Sequence, residues 1–423
     1  IAKVNSMYKD DEVIIVGGGV IGICSAYYLS SRGIKVTVLD KGKIGHGSSF
    51  GNCGLIVPSH SIPLAAPGVV LQGLKWMFDS TSPFYIKPRF NYELILWLWK
   101  FMKACNQRRT AKGIETLVKL TTESMSLYEQ IMDANPELDC NFRKDGLLMV
   151  YKTVEGYNLG LHEAEEVESH GIESQKMTNN ELQKFEPGLR NDVHGGVYYP
   201  GDGHFDPYKF VNQLSNLVKS KGVEIVEDTE VKDMIVSGNR ISTIVTPDKE
   251  YTPNWTIITA GAWSPNLAKK IGLGLQVQPA KGYSVSYNRT GLSIKTPMLL
   301  SEAKIGVNPV IDGIRLAGTL ELTGIDSSIN EKRVQAIVGG AHQYLAGDTA
   351  KFEITNVWTG MRPVTPDGVP VIDRIPNMEN LIVATGHAML GMTMGPVTGK
   401  AVSEIVIGDS HSLDLTPLKM DRF

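Results

Sequence analysis

The sequence predicts a mixed α/β chain, α+β overall, that opens on a strand–helix–strand unit. Three observations predict it. A continuous apolar run, Val13-Ile14-Ile15-Val16, leads at once into Gly17-Gly18-Gly19-Val20-Ile21-Gly22. Glycine is in excess, at 43 of 423 residues or about 10% against a usual value of roughly 7%. Far from the start, Tyr283-Ser284-Val285-Ser286-Tyr287 alternates as a sheet strand does. A length of 423 residues exceeds one ordinary core and implies two domains.

The elements of the first unit follow in order. Val13 to Val16 is short, apolar and bounded by a turn, as a buried strand is. Ile23 to Ser31 reads as a helix stopped by Arg32-Gly33, and Lys35 to Leu39 as a second strand ending at Asp40. Gly17, Gly19 and Gly22 then form GxGxxG in a βαβ context. Gly17 permits the tight turn, Gly19 lets backbone approach a pyrophosphate, and Gly22 lets helix and strand pack closely. Val20 and Ile21 lie where N–H groups and the helix dipole favour an anion. Asp40, beside Lys41, lies 18 residues beyond Gly22, where a carboxylate accepts hydrogen bonds from ribose hydroxyls. This is a Rossmann-like dinucleotide site, and the motif alone does not separate NAD from FAD. The small-residue loop Gly47-Ser48-Ser49-Phe50-Gly51-Asn52-Cys53-Gly54-Leu55-Ile56 follows. Such a loop can press backbone N–H groups against a diphosphate or a flavin ring.

Composition excludes other classes. Hydrophobic residues at 42% and charged residues at 21% are those of a folded protein, not a disordered one. A net charge of −3 does not suit a nucleic-acid partner. Cys24, Cys53, Cys105 and Cys140 form no CxxC, so neither a metal site nor a disulfide framework is expected, and a reducing, cytoplasmic compartment is the default. The first dozen residues are polar and do not read as a signal peptide; Ile1 to Ser6 precede Met7, a candidate native start. No stretch reaches the roughly 20 apolar residues of a spanning helix. The nearest, around Leu94 to Trp99, forms a helix that is apolar nearly all round. Tyr92, Ile95, Leu96, Trp99 and Met102 share one face, and Leu94, Trp97, Leu98 and Phe101 another. Core packing, a subunit contact in an oligomer and a peripheral membrane contact all suit it.

From the Gly47 to Ile56 loop onward the sequence resembles the D-amino acid oxidase superfamily of FAD-dependent oxidoreductases. Within it the likeness is to the bacterial D-amino acid dehydrogenase branch, D-proline dehydrogenases included. Ser-Phe-Gly-Asn-x-Gly at Ser49 to Gly54, the Pro-rich stretch Pro58 to Val70 and the helix at Lys75-Trp76-Met77 carry it. So do Lys144 to Val150, Gly203-His204-Phe205-Asp206-Pro207 with the helix Tyr208 to Lys221, Glu230-Val231, Thr256 to Trp263 and Lys281-Gly282-Tyr283-Ser284. Trp358-Thr359-Gly360-Met361-Arg362-Pro363 and Thr385 to Pro396, with a helix through Ile407, complete it.

The resemblance implies two interleaved domains. An FAD-binding domain takes residues 9–60, 200–275 and 356–423; a substrate domain built on an antiparallel sheet takes 61–199 and 276–355. It implies FAD contacts at Ser48, Ser49, Asn52, Gly54, Leu55, Val231, Ala260, Gly261, Gly386, His387, Gly391, Met392 and Thr393, beside Gly17, Gly19, Val20, Ile21, Gly22, Asp40 and Lys41. His387 is expected to act through its backbone. In the family, the arginine of Gly-x-Arg-Pro holds the substrate carboxylate, here Arg362, whose guanidinium suits a bidentate grip. Tyr283 is a second candidate for that carboxylate, or a strand residue that simply packs. The implied reaction, in amino acid catabolism, moves a hydride from the α-carbon of a D-amino acid, proline or a small apolar one, to flavin N5. Electrons pass to a quinone or another carrier. An oxidase acting on glycine, sarcosine or D-amino acids with oxygen, and a non-catalytic flavoprotein subunit, stay open. Gly51 stands near where some relatives attach FAD through histidine, so non-covalent FAD is expected.

Overall fold

The computed structural model describes residues 12–69, 84–87, 89–288, 294–310, 313–347 and 352–423. Val70, Lys75-Trp76-Met77 and Ile1 to Ser6 lie outside the described residues.

The strand Glu12–Val16 sits inside a six-stranded sheet, flanked in parallel by Lys35–Leu39 and Trp255–Ile258. Glu224–Val226 closes one edge; Leu381–Thr385 and then antiparallel Val371–Arg374 close the other. Two flanking strands explain why Val13 to Val16 reads as an unbroken apolar run. The chain turns at Gly17, whose φ is +116°. A Cβ there would lie 2.7 Å from the Thr259 carbonyl carbon, and one at Gly22 would lie 1.9 Å from Gly17 O. The helix Val20–Ser31 therefore starts directly against the sheet. It is buried on most sides because the last helix, Gly395–Ile407, covers it. Gly399 permits that contact, since a Cβ there would meet the Cys24 backbone at 2.5 Å.

A second sheet runs Ile354–Val364, Gln278–Asn288, Gly313–Leu322, Ile305–Val310, Met298–Leu300, Leu147–Tyr151, Gly195–Tyr199 and Gln175–Thr178. Phe84–Ile86 also pairs with Gly313–Leu322. Pairing is antiparallel except at Phe84–Ile86 and where Met298–Leu300 meets Leu147–Tyr151. The chain thus leaves the parallel sheet, builds part of the second one, and returns, twice. The last return comes after Val364 rather than near 356. Ile354–Val364 pairs along Gln278–Asn288, so the strand of Arg362 belongs to the second sheet.

The alternation at Tyr283 to Tyr287 has a two-sided meaning. Tyr283, Val285 and Tyr287 pack in one apolar cluster with Val334, Ile337 and Val338 of the helix Glu331–His342. Gly282 lies on the other face of the strand, against the Arg362 guanidinium. The helix Tyr92–Ala104 is likewise two-faced. Leu94, Trp97 and Phe101 are buried, and Trp97 Nε1 donates to Val364 O at 3.1 Å. Phe90, Tyr92, Ile95, Trp99 and Met102 are exposed.

Asp202 is buried behind the loop that follows Ile56. It accepts hydrogen bonds from Ser59 N at 3.1 Å and Ser59 Oγ at 2.5 Å. Burial outweighs these bonds and pushes its carboxyl up to about 7. A folded-state value above the ordinary 3.8 means the folded protein holds this proton more tightly. Stability from this group is full below about pH 4 and is lost as pH rises toward 7. Asp202→Asn should flatten that slope, so wild type loses more thermal stability than the variant between pH 5.5 and 8. Equal losses in the two melting series would refute it.

Candidate active site

One cavity of about 1110 Å³ lies between the two sheets. Gly17, Gly19, Val20 and Ile21 border it at one end, with Asp40, Lys41, Val231, Ala260 and Gly261. Asp40 uses both carboxylate oxygens to hold the turn: Oδ2 accepts from Gly18 N at 2.7 Å and Oδ1 from Gly42 N at 2.9 Å. Burial raises its carboxyl, and these N–H groups oppose the rise. Each oxygen keeps a second lone pair for a ribose hydroxyl. The Lys41 ammonium lies 3.8 Å from the Trp263 ring centre.

At the helix start, Ser49 Oγ accepts from Val20 N at 3.1 Å. Among the described residues the N–H groups of Ile21 and Gly22 have no protein acceptor, as first-turn donors commonly do not. An anion fits there.

The loop carrying Ser48, Ser49, Asn52 and Leu55 forms the middle of the cavity. Ser48 Oγ donates to Met361 O. Asn52 Oδ1 accepts from Gly54 N at 2.8 Å, while Arg315 Nη1 donates to Asn52 O at 3.0 Å and Asn308 Nδ2 to Cys53 O at 2.6 Å. Opposite stand His387, Gly391 and Met392. Tyr128 OH donates to Met392 O at 2.5 Å. His387 lines the cavity, and its buried ring is hydrogen-bonded through Nε2 to the Thr398 hydroxyl at 3.0 Å. Burial pulls it down to about 3, so it is neutral at pH 7.

Arg362 faces the other end. Its Nη1 donates to Thr319 O at 2.7 Å, and among the described residues no carboxylate pairs with it. Burial lowers it to about 10, which still leaves it charged at pH 7. Gly282 makes room for it, since a Cβ there would stand 2.0 Å from Nη1. An unpaired buried cation is costly unless an anion completes it. Trp358, four residues earlier on the same strand, lies over Gly360 and against Gly51; a Cβ at either would come within about 2 Å of the indole.

The structure places five sequence-derived site residues differently from the rest. Tyr283 borders the cavity, but its hydroxyl donates to Glu321 Oε2 at 2.7 Å, and Arg333 Nε donates to the other oxygen at 3.1 Å. Burial and that carboxylate raise the phenol further. Its hydroxyl is committed to Glu321, and its ring packs in the cluster shared with the helix Glu331–His342. Gly22, Gly54, Gly386 and Thr393 stand behind the cavity wall. Gly22 packs on Gly17, Gly54 on the Phe205 carbonyl and Gly386 on Thr365. Thr393 Oγ1 accepts from Val57 N at 3.2 Å. Sequence reasoning missed Gly282, Trp358, Gly360 and Trp263 as wall residues. A glycine inside a strand is the signal that could have found the first and third.

Comparison with known proteins agrees with this geometry. The family model described as FAD dependent oxidoreductase matches residues 12–405. A D-amino acid dehydrogenase of Vibrio atlanticus is 32% identical over 418 residues, 97% of this chain and 100% of its own length. One of Helicobacter pylori is 31% identical, over 93% of this chain and 94% of its own. Among solved structures, glycine oxidase from Geobacillus kaustophilus superposes with a TM-score of 0.80 at 24% identity, covering 98% of this chain and 99% of its own. L-proline dehydrogenase from P. horikoshii gives 0.78 at 19%, covering 99% and 98%; these two likenesses speak for the fold. A dinucleotide turn and an uncompensated arginine facing one cavity, in a chain matched from its first strand to its last helix, make this protein a member of the FAD-dependent oxidoreductase family.

Proposed function

We propose that the protein oxidises a D-amino acid, proline or a small apolar one among its substrates, as a dehydrogenase that passes electrons to a quinone or another carrier. The observation that carries this reading is Arg362, a buried guanidinium without a carboxylate partner among the described residues, in the cavity that the Gly17 turn borders. Bound FAD supplies a hydride acceptor. Arg362 grips the substrate carboxylate through its free N–H donors while Nη1 stays on Thr319 O, which fixes the α-carbon over the cavity floor. The N–H groups of Gly391 and Met392 have no protein acceptor among the described residues, and they stabilise negative charge gathering at that wall. The amine must be neutral before a hydride leaves, and no side chain is assigned as its base. The neutral His387 ring is turned into the last helix. The imine product hydrolyses to a 2-oxo acid and ammonia, or stays cyclic when the substrate is proline.

Arg362→Met should raise KM for amino acids by about a hundredfold or more, the loss of a charge-assisted pair in a buried site. Tyr283→Phe should change KM by less than about threefold, because its hydroxyl serves Glu321. Steady-state kinetics checks both, and an unchanged KM in Arg362→Met removes the proposal.

The holoenzyme distinguishes the remaining readings. D-amino acids should bleach its flavin under anaerobic conditions, and an artificial dye should reoxidise it faster than oxygen. Turnover with oxygen equal to that with the dye makes it an oxidase; no bleaching by any amino acid makes it a non-catalytic subunit. Mild acid should release yellow flavin, since we assign non-covalent binding; colour left in the precipitate contradicts that.

The exposed Phe90, Tyr92, Ile95, Trp99 and Met102 support a peripheral membrane contact, with the Lys103 ammonium 3.4 Å from the Trp99 ring centre. Among the described residues no helix is long and apolar enough to cross a membrane. Co-sedimentation with anionic vesicles should fall at least about fivefold in Ile95→Ser/Trp99→Ser. Equal sedimentation would assign the face to another contact.

A further inference from the structure

The cavity continues past Arg362 into a compartment that no part of the dinucleotide site explains. Its walls come from the second sheet and one helix: Met149, Leu299, and Leu159 with Glu163. Leu159 and Glu163 lie one turn apart on the helix Val154–Glu168, so they share a face. Gly160 brings that helix down onto the sheet, since a Cβ there would stand 2.1 Å from the Tyr151 ring. Lys304, with φ of +54°, forms the turn between Met298–Leu300 and Ile305–Val310. His60 enters from the loop after Ile56.

His60, Glu163 and Lys304 all line this compartment, and among the described residues no ion pair or side-chain hydrogen bond joins any of them to the protein. Lys304 is exposed at the mouth of this compartment, as Leu159 is, while His60 and Glu163 are half-buried. Burial lowers His60 to about 4, so it is a neutral group that both donates and accepts; burial also raises the Glu163 carboxyl, against the pull of Lys304. The three together present an acceptor, a donor and a group that can be either.

The sheet sets the distance. Arg362 rests on the strand Gly313–Leu322 through Thr319 O. Leu299 and Met149 lie two and three strands further on. At about 4.8 Å per strand that is on the order of 10–14 Å. Alanine or proline held on Arg362 ends short of it, whereas a long side chain laid across the strands reaches it.

We infer that His60, Glu163 and Lys304 form a specificity subsite for amino acids whose long side chain ends in a polar group carrying both donors and acceptors, a carboxamide being the neutral case. The inference rests on the amino acid oxidation proposed above. A carboxamide gives its N–H to Glu163 and its oxygen to Lys304, and His60 serves either. An apolar end of equal length displaces water from all three without replacing its hydrogen bonds, which is costly.

Steady-state kinetics with D-alanine, D-glutamine and D-norleucine tests this on the full-length holoenzyme. Wild type should show a kcat/KM for D-glutamine at least about tenfold above that for D-norleucine. That ratio should fall by about tenfold in Glu163→Gln and in Lys304→Met taken separately. A wild-type ratio at or below one overturns the subsite without any variant. A ratio within twofold of wild type in both variants, each with full flavin content, overturns it as well. If D-alanine is oxidised in either case, the proposed reaction stands and the subsite alone falls. If neither these three nor D-proline is oxidised, both fall; if D-proline alone is oxidised, only the subsite falls.

Discussion

The close approach of backbone to backbone around Gly17 is the constraint on which the rest of the molecule depends. Gly17 lies against Thr259, Gly22 against Gly17, and Gly399 against Cys24. Each contact leaves no volume for a side chain. Together they seat the first helix between the parallel sheet and the last helix, which leaves its opening N–H groups pointing into the cavity. A methyl group at any of these positions would force helix and sheet apart and move every donor at that end.

The opposite end follows a different rule. There the structure tolerates an electrostatic cost. Arg362 keeps its charge within an apolar wall, held by one carbonyl and given room by Gly282. A tighter fold would have paired it with a carboxylate, as Arg333 is paired on the other face of the same sheet. Leaving one arginine unmatched and matching the next separates binding chemistry from scaffold within a few ångströms of sheet.

Much of this was legible in the sequence, and the exceptions have physical causes. The βαβ unit was readable because its signals are local: an apolar run, three glycines and a carboxylate at fixed offsets. The Arg362 motif was readable by likeness, although its strand proved to belong to the second sheet. Tyr283 was not resolved, because alternation reveals two faces without saying what a hydroxyl on either one meets. Trp358 escaped notice because its partner Gly51 lies some three hundred residues away. His60, Glu163 and Lys304 come from three separate segments, and only the folded sheet brings them to one wall.

The bond between Thr393 and Val57 has a consequence for the order of assembly. It ties the loop after the second strand to the turn before the last helix, across 336 residues of chain. The parallel sheet is spread as widely, with its central strand at Glu12–Val16 and an edge at Val371–Arg374. Contacts of such sequence separation form late, because the intervening loop must be closed first. The cofactor cradle is therefore among the last features to appear as the chain folds. An early fragment has the glycine turn without the wall that faces it. A complete dinucleotide cradle thus requires both ends of the described chain to have met.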